Sequence, residues 1–207
     1  EIANNLLDII NLNELPKPEK HNLKKDITTS YFEINLSSEI IDKIIYKGAE
    51  VPFTREFGAV FVTFPTTIKK GSKDSFTVWY NGNPRVAKQP PWDGGFIFKK
   101  DKSGNPFVSV ACQGLGASVW WPTKDHQSDE PNRGASVKVA VPYGLMNVSN
   151  GRFLGSENLN NGYTRWDWEV KNPINNYNIV INIADYVHIH ENHNGLDLDY
   201  YVLRENE

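Results

Sequence analysis

Residues 163–170 read Tyr-Thr-Arg-Trp-Asp-Trp-Glu-Val, and this stretch decides the fold class. Trp166 and Trp168 fall on one face of an extended chain, whereas charged residues occupy the positions that alternate with them. Such alternation is typical of an antiparallel strand with one face in the core and one face in water. We therefore predict a half-buried strand whose two tryptophans lie in the core.

Short apolar segments bounded by Gly, Pro, Asn or Asp recur along the chain from Tyr31 onward. Near the C-terminal end, Leu196 and Leu198 alternate with aspartates and share a face that we expect to be buried. Residues 95–112 place two apolar runs around Asp-Lys-Ser-Gly-Asn, which predicts a hairpin with a type I turn and a glycine bulge. Since no long amphipathic helix intervenes, we predict an all-β fold of about ten or eleven strands, an antiparallel β-sandwich or open barrel, over residues 31–207.

The first 30 residues have a different character. A helix-compatible patch lies between Leu6 and Ile10, and residues 16–26 are charged and punctuated by prolines. We interpret residues 1–30 as a divergent leader or linker that precedes the β domain.

The composition excludes several classes of protein. The chain has 207 residues with 22 basic and 25 acidic side chains, so its formal net charge of −3 gives no basic footprint for nucleic acid or an anionic membrane. It has no run of apolar residues long enough to span a bilayer. Its one cysteine, Cys112, excludes an internal disulfide and a multi-cysteine zinc site. A hydrophobic fraction of 39% is enough to build a substantial core.

Three histidines near the C-terminus are the clearest group of potential metal ligands. His188 and His190 are two residues apart in a predicted strand, so both imidazoles lie on one face. We place His193 in the turn that follows, close enough to join them on a metal. The competing interpretation is a solvated strand end with a polar turn. We favour it and expect no native metal here, because the pattern shows no carboxylate or hydrogen-bonded partner for the set.

Other catalytic motifs are incomplete. His190 and His193 are three residues apart, whereas the HExxH zinc motif needs two histidines four apart on one helical face. The chain has no GxSxG element, and residues 112–118 carry closely spaced glycines without the helix that a phosphate loop requires. The sequence therefore predicts neither a Ser-His-Asp hydrolase nor a nucleotide-binding loop.

Six tryptophans in a β-sandwich are compatible with a surface that stacks against sugars. Trp92, Trp120 and Trp121 adjoin Pro and Gly in predicted loops, where they are freer to face a ligand than Trp166 and Trp168. Considered alone, these residues favour a binding module, with core and edge packing as the competing interpretation.

The stretch from Gln89 to Phe153 contains CQGLGAS at 112–118 and WWPTKDHQSDEP at 120–131. It closely resembles the N-terminal domain of bacterial zinc metallopeptidases of the aminopeptidase N family, and the likeness extends over roughly residues 31–207. The resemblance implies a saddle-shaped β domain, followed in the same polypeptide by a thermolysin-like catalytic domain that holds zinc. It also favours a periplasmic or extracellular location.

The resemblance further implies a role for Gln113. In the family, the matching Gln or Glu reaches into the active site and accepts a hydrogen bond from the free α-ammonium of the substrate. An exopeptidase must recognise one terminal positive charge, and an oxygen at a fixed distance from the metal does so by geometry. The competing interpretation is a polar side chain that satisfies the loop backbone. Asp129, Glu130 and Pro131 would be structural residues that cap a turn.

The chain also departs from the pattern of a complete peptidase. It contains no HExxH, no downstream glutamate ligand and no Gly-x-Met-Glu-Asn element. We therefore expect this chain alone neither to bind the catalytic zinc nor to cleave peptides. Its expected partners are the catalytic domain of the same polypeptide and a peptide substrate. The alternative is a stand-alone exported β-sandwich module that binds glycan or protein.

Overall fold

A computed structural model describes residues 27–33, 38–124 and 126–207. This part of the chain contains fifteen β-strands and three single-turn 3₁₀ segments, at 117–119, 176–178 and 204–206. None of its helical segments is long and apolar enough to cross a membrane. The strands are β1 (Ile27–Glu33), β2 (Ser38–Tyr46), β3 (Ala49–Glu50), β4 (Phe53–Glu56), β5 (Ala59–Ile68), β6 (Phe76–Asn83), β7 (Gly95–Lys100), β8 (Pro106–Ala111), β9 (Ala135–Pro142), β10 (Met146–Ser149), β11 (Arg152–Asn158), β12 (Tyr163–Val170), β13 (Ile181–Ala184), β14 (Tyr186–His193) and β15 (Leu196–Leu203).

The strands form small sheets in which every pair of named strands is antiparallel. The largest has the order β10-β13-β8-β7, and the three-stranded sheets have the orders β1-β5-β4, β3-β2-β6 and β11-β12-β9. β14 and β15 form a separate two-stranded sheet. The predicted all-β antiparallel class is confirmed.

One continuous hydrophobic core joins these sheets. Val137, Val139 and Val141 alternate along β9, and Ile181 and Ile183 alternate along β13, with each side chain at most 1% exposed. The alternation follows from the two-residue period of a strand, which sends every second side chain to the same face. Burying one such side chain contributes about 1.5–3 kcal/mol, so these rows hold the sheets face to face.

The prediction for the two tryptophans of β12 is confirmed for Trp168. Trp168 is 4% exposed, and its indole N–H donates to the carbonyl of Asn147 at 3.0 Å. Trp166 is half-buried and packs against the ring of Phe153, with ring centroids 5.7 Å apart. The face predicted to be apolar therefore packs inward along the whole strand.

The predicted hairpin at residues 95–112 is confirmed as β7 and β8. The N–H of Gly104 donates to the carbonyl of Asp101 at 3.1 Å, which closes the turn. Gly104 has φ +88°, the left-handed conformation that a type I turn with a glycine bulge requires.

The expectation that Leu196 and Leu198 would be buried is wrong for the first and only partly met for the second. Leu196 is 63% exposed, Leu198 is half-buried, and Tyr200 on the same face is 46% exposed. The physical reason is that β15 pairs with β14 alone in the described structure, so no second sheet covers the distal part of this hairpin. Alternation identifies the apolar face of a strand, but it does not show whether another element packs against that face.

The structure has more strands than the sequence predicted. β3 and β4 are short, and β11 is an exposed edge strand interrupted by a bulge at Leu154, so none of the three carries a clear alternation. β1 begins at Ile27, inside the segment that the sequence assigned to a leader. The helix-compatible patch at Leu6 to Ile10 lies outside the described residues.

We predict that Trp168→Ala lowers the free energy of unfolding by about 3–5 kcal/mol, because it leaves a large cavity in the core. The matched control is Trp92→Ala, since Trp92 is 81% exposed and should change stability by less than about 0.5 kcal/mol. Urea unfolding followed by circular dichroism measures both values. Equal losses for the two variants would contradict this description of the core.

Candidate functional site

Gln113 lies in a tight loop directly after β8. The carbonyl of Cys112 accepts hydrogen bonds from the N–H groups of Leu115 at 3.2 Å and Gly116 at 2.9 Å, which closes the loop. Gly114 and Gly116 have φ +74° and +80°, a conformation that side-chain-bearing residues adopt at a cost. Gln113 is exposed, and no described residue forms a hydrogen bond with its side-chain amide. The hydrogen bonds that close the loop thus do not involve this side chain.

Trp120 anchors the far end of the same loop. Its side chain is fully buried, and its indole N–H donates to the carbonyl of Ile179 at 3.1 Å. Its carbonyl accepts a hydrogen bond from the hydroxyl of Tyr80 at 3.0 Å. Burial raises the pKa of Tyr80, so that hydroxyl keeps its proton and remains a donor. The expectation that Trp120 is free to face a ligand is wrong, because long-range partners hold it in the core, and Trp121 is half-buried beside it.

A second loop, residues 88–94, packs against the Gln113 loop. A methyl group at Gly94 would lie 2.9 Å from the carbonyl oxygen of Gln113, so the two backbones meet too closely for a side chain at this position. The carboxylate of Asp93 accepts from the backbone N–H groups of Lys88 at 2.7 Å and Gln89 at 2.6 Å. These bonds, that from Lys88 first, lower the pKa of Asp93. Trp92 in this loop is 81% exposed, as the sequence predicted.

Two asparagines hold the segment that follows Trp121. The side-chain amide of Asn176, a buried residue, donates to the carbonyl of Lys124 at 2.6 Å, and its backbone N–H donates to the carbonyl of Asp129 at 3.0 Å. The side-chain amide of Asn175 donates to the carbonyl of Gln127 at 2.6 Å. The sequence indicated only turn formers at these positions, because their partners lie about 50 residues away in the chain.

The Asp-Glu-Pro turn makes its contacts through the backbone. The carbonyl of Asp129 accepts from Asn176, and the carbonyl of Pro131 accepts from the N–H of Gly134 at 2.8 Å. The side chain of Glu130 is exposed. This geometry agrees with a structural role for the turn.

The histidine cluster differs from the one that the sequence predicted. β14 continues through His193, which pairs with Leu196, because Asn194 and Gly195 alone form the turn, with φ +52° and +84°. An Asn-Gly pair with two positive φ angles is typical of a two-residue hairpin turn. The placement of His193 in the turn beside the other histidines is therefore wrong. As an odd-numbered residue of β14, it lies on the opposite face from His188 and His190.

Asp199 takes the place that the sequence analysis gave to His193. It lies opposite His190 in the neighbouring strand. Its Oδ1 accepts from Nε2 of His188 at 2.7 Å and from Nδ1 of His190 at 2.9 Å. These hydrogen bonds, that from His190 first, lower the pKa of Asp199, and the bond to Asp199 raises the pKa of His190. Among the described residues, these three form the one group of His, Cys, Asp or Glu side chains close enough to share a metal ion.

Comparison with solved structures supports the fold, whereas the two comparisons based on sequence found no match. A scan of protein-family models and a search of curated proteins each found no match to this chain. Among solved structures, an M1 zinc metallopeptidase from Deinococcus radiodurans is similar with a TM-score of 0.68 and 17% sequence identity over 86% of this chain and 41% of that chain. A mutant from the same organism with a Tyr-Ser-Ala substrate bound gives a TM-score of 0.66 and 16% identity, over 89% of this chain and 44% of that one. A two-domain M1 zinc metallopeptidase mutant bound to L-arginine gives a TM-score of 0.68 and 16% identity with the same coverage.

This chain therefore spans less than half the length of the peptidases that it resembles. At this level of identity the likeness concerns the fold. The chain has an aminopeptidase N-like β fold, as the resemblance in the sequence implied.

We predict that Asp93→Asn destabilises the protein at neutral pH, because a neutral amide accepts the two backbone hydrogen bonds less strongly. A carboxylate whose folded pKa is depressed stabilises the fold above its unfolded pKa, and this contribution is lost as the pH falls through the folded pKa. The difference in unfolding free energy between wild type and variant should therefore shrink in acid. Lys88→Ala, which keeps the donating N–H, is the control. A difference that is constant with pH would contradict this role for Asp93.

Proposed function

We propose that this chain is the N-terminal, non-catalytic β domain of a zinc aminopeptidase-like enzyme, where it shapes the peptide entrance and anchors the substrate N-terminus. The observation that carries the proposal is the fold match, which covers 86–89% of this chain but only 41–44% of the M1 metallopeptidase chains. A chain that forms one domain of a larger enzyme would match over most of its own length but over less than half of the length of the enzyme. On this proposal the remaining length of such an enzyme supplies the catalytic domain.

The catalytic zinc of the proposed enzyme would be held outside this chain. The sequence lacks the HExxH helix and the distant glutamate that hold such an ion, so the residues present do not fit the group. No catalytic step is assigned to this chain. Its proposed contribution is binding, through residues that meet the substrate before and during the reaction.

Gln113 has the properties that an amine anchor needs. Its side chain is exposed and makes no hydrogen bond to a described residue, so its amide oxygen is available as an acceptor. Its backbone is fixed between β8 and the buried Trp120, which limits the positions that the oxygen reaches. The competing interpretation, a side chain spent on the loop backbone, has no such hydrogen bond among the described residues to support it. An acceptor whose reach is limited in this way selects a terminal ammonium by geometry.

The β14–β15 hairpin offers a surface for the proposed catalytic domain. The face of this hairpin opposite His188 and His190 carries apolar side chains that are incompletely covered within the described chain, together with Glu191 and His193. Its exposed members are Ile189 (37%), Leu196 (63%) and Tyr200 (46%). Clustered exposed apolar side chains mark interaction surfaces. We propose that the catalytic domain of the same polypeptide covers this face.

Trp92 favours the second candidate, a stand-alone module that binds glycan or protein. Its indole is 81% exposed at a loop tip, as a sugar-stacking ring would be. The two candidates differ in the residue that they require. A loss of ligand binding in Trp92→Ala with no effect of Gln113 substitutions would favour the second.

We predict that Gln113→Ala lowers kcat/KM for peptides with a free N-terminus by roughly ten- to a hundredfold in the enzyme that contains this domain. A hydrogen bond to a charged group contributes about 1.5–3 kcal/mol, which corresponds to that factor. Gln113→Glu should retain or improve amine recognition, because it places a full negative charge at the same reach.

The control for this prediction is a peptide with an acetylated N-terminus, which offers no ammonium and should respond little to either variant. Steady-state kinetics on free and acetylated peptides provide the comparison. If Gln113→Ala slows both classes equally, Gln113 supports the loop and does not anchor the amine.

We also predict that this chain alone does not hydrolyse amino-acid anilides, with or without added zinc, because it supplies no complete catalytic motif. The assay compares the purified chain with buffer. Turnover above buffer that persists through repeated purification would contradict the assignment of catalysis to another domain.

A further inference from the structure

We propose that His188, His190 and Asp199 form a surface site for one divalent transition-metal ion of the zinc class. The three ligand atoms lie within 4.8 Å of one another on one face of the β14–β15 hairpin. Two imidazole nitrogens and one carboxylate oxygen are a ligand set that zinc accepts, with a further position left for water. The histidine pattern alone predicted no metal because it shows no carboxylate, and Asp199 supplies one.

The distances between the ligand atoms suit this ion after a small adjustment. Zinc bonds of about 2.0–2.2 Å in tetrahedral geometry place neighbouring ligand atoms about 3.3 Å apart. Oδ1 of Asp199 lies 2.7 Å from Nε2 of His188 and 2.9 Å from Nδ1 of His190. Side-chain rotations that lengthen both separations by about half an ångström, and bring the two imidazole nitrogens from within 4.8 Å to a similar distance, open the centre to the ion.

The ring protons of the two histidines do not prevent metal binding. Each neutral imidazole carries its proton on either ring nitrogen, so metal binding places that proton on the nitrogen that does not bind the ion. For His190 this is Nε2, which lies 3.9 Å from Oδ1 of Asp197. At this distance Asp197 is too far to accept a hydrogen bond from His190, but its negative charge lies close enough to favour a cation at the site.

Tyr201 supports His188, one of the three ligands, without the metal. The ring of His188 stacks on Tyr201, with centroids 4.5 Å apart and planes 4° apart. Tyr201 in turn contacts Trp168 edge-on at 5.7 Å, which connects the ligand to the core. At the other end, the amide of Asn192 donates to Asp197 at 2.9 Å. A ligand held in this way loses little side-chain freedom when it binds.

The test is isothermal titration calorimetry of zinc chloride into the 207-residue chain, purified without a histidine tag. We expect saturable binding of one zinc per chain with a Kd below about 100 µM. His190→Ala and Asp199→Asn should each weaken binding by at least about tenfold, since each removes a ligand. Zinc should raise the melting temperature of the wild type and have a smaller effect on these variants.

His193→Ala is the matched control, because it removes a histidine of the same hairpin from the opposite face and should bind zinc like the wild type. Circular dichroism shows that each variant folds, and the two ligand variants serve as independent tests if one does not. Absence of saturable binding, or an equal loss in His193→Ala, overturns the proposal. This result is independent of the kinetic test of Gln113, since it measures zinc binding by this chain alone.

Discussion

Burial of Trp120 is the constraint on which the position of the Gln113 loop depends. Its indole N–H is bonded to the carbonyl of Ile179, and its carbonyl accepts from the hydroxyl of Tyr80, so one residue joins three distant parts of the chain. The loop that carries Gln113 is thereby fixed at one end by Trp120 and at the other by β8. This combination presents an exposed polar side chain on a constrained backbone, which recognition by geometry requires.

The β14–β15 hairpin shows how one strand pair provides two different surfaces. Successive side chains point to opposite faces, so the same eight-residue strands carry a mainly apolar face and a face that holds His188, His190 and Asp199. Each face has its own proposed partner, the catalytic domain on one side and a metal ion on the other. The contact of Tyr201 with Trp168 connects the polar face of the hairpin to the core, so the two surfaces share one support.

The sequence predicted the features that depend on local pattern. Alternation was sufficient for the antiparallel class and for the burial of Trp168, whereas the burial of Trp120 depends on partners 40 and 59 residues away. Leu196 is a case in which the local pattern was misleading. Its alternation with aspartate identifies an apolar face but not what covers that face. The grouping of His190 with Asp199 had a signal in the sequence: the Asn-Gly pair at 194–195 fixes a two-residue turn, and counting outward from it places these two residues opposite each other.

The proposed role of this β domain is to present Gln113 to the N-terminus of a peptide. The most direct measurement is a crystal structure of the polypeptide that includes the proposed catalytic domain, with a free-N-terminus peptide bound. If Gln113 anchors the amine, its Oε1 lies about 2.7–3.2 Å from the α-nitrogen of the peptide. A bound peptide whose amine is held by other groups, with Gln113 directed into solvent, would contradict it.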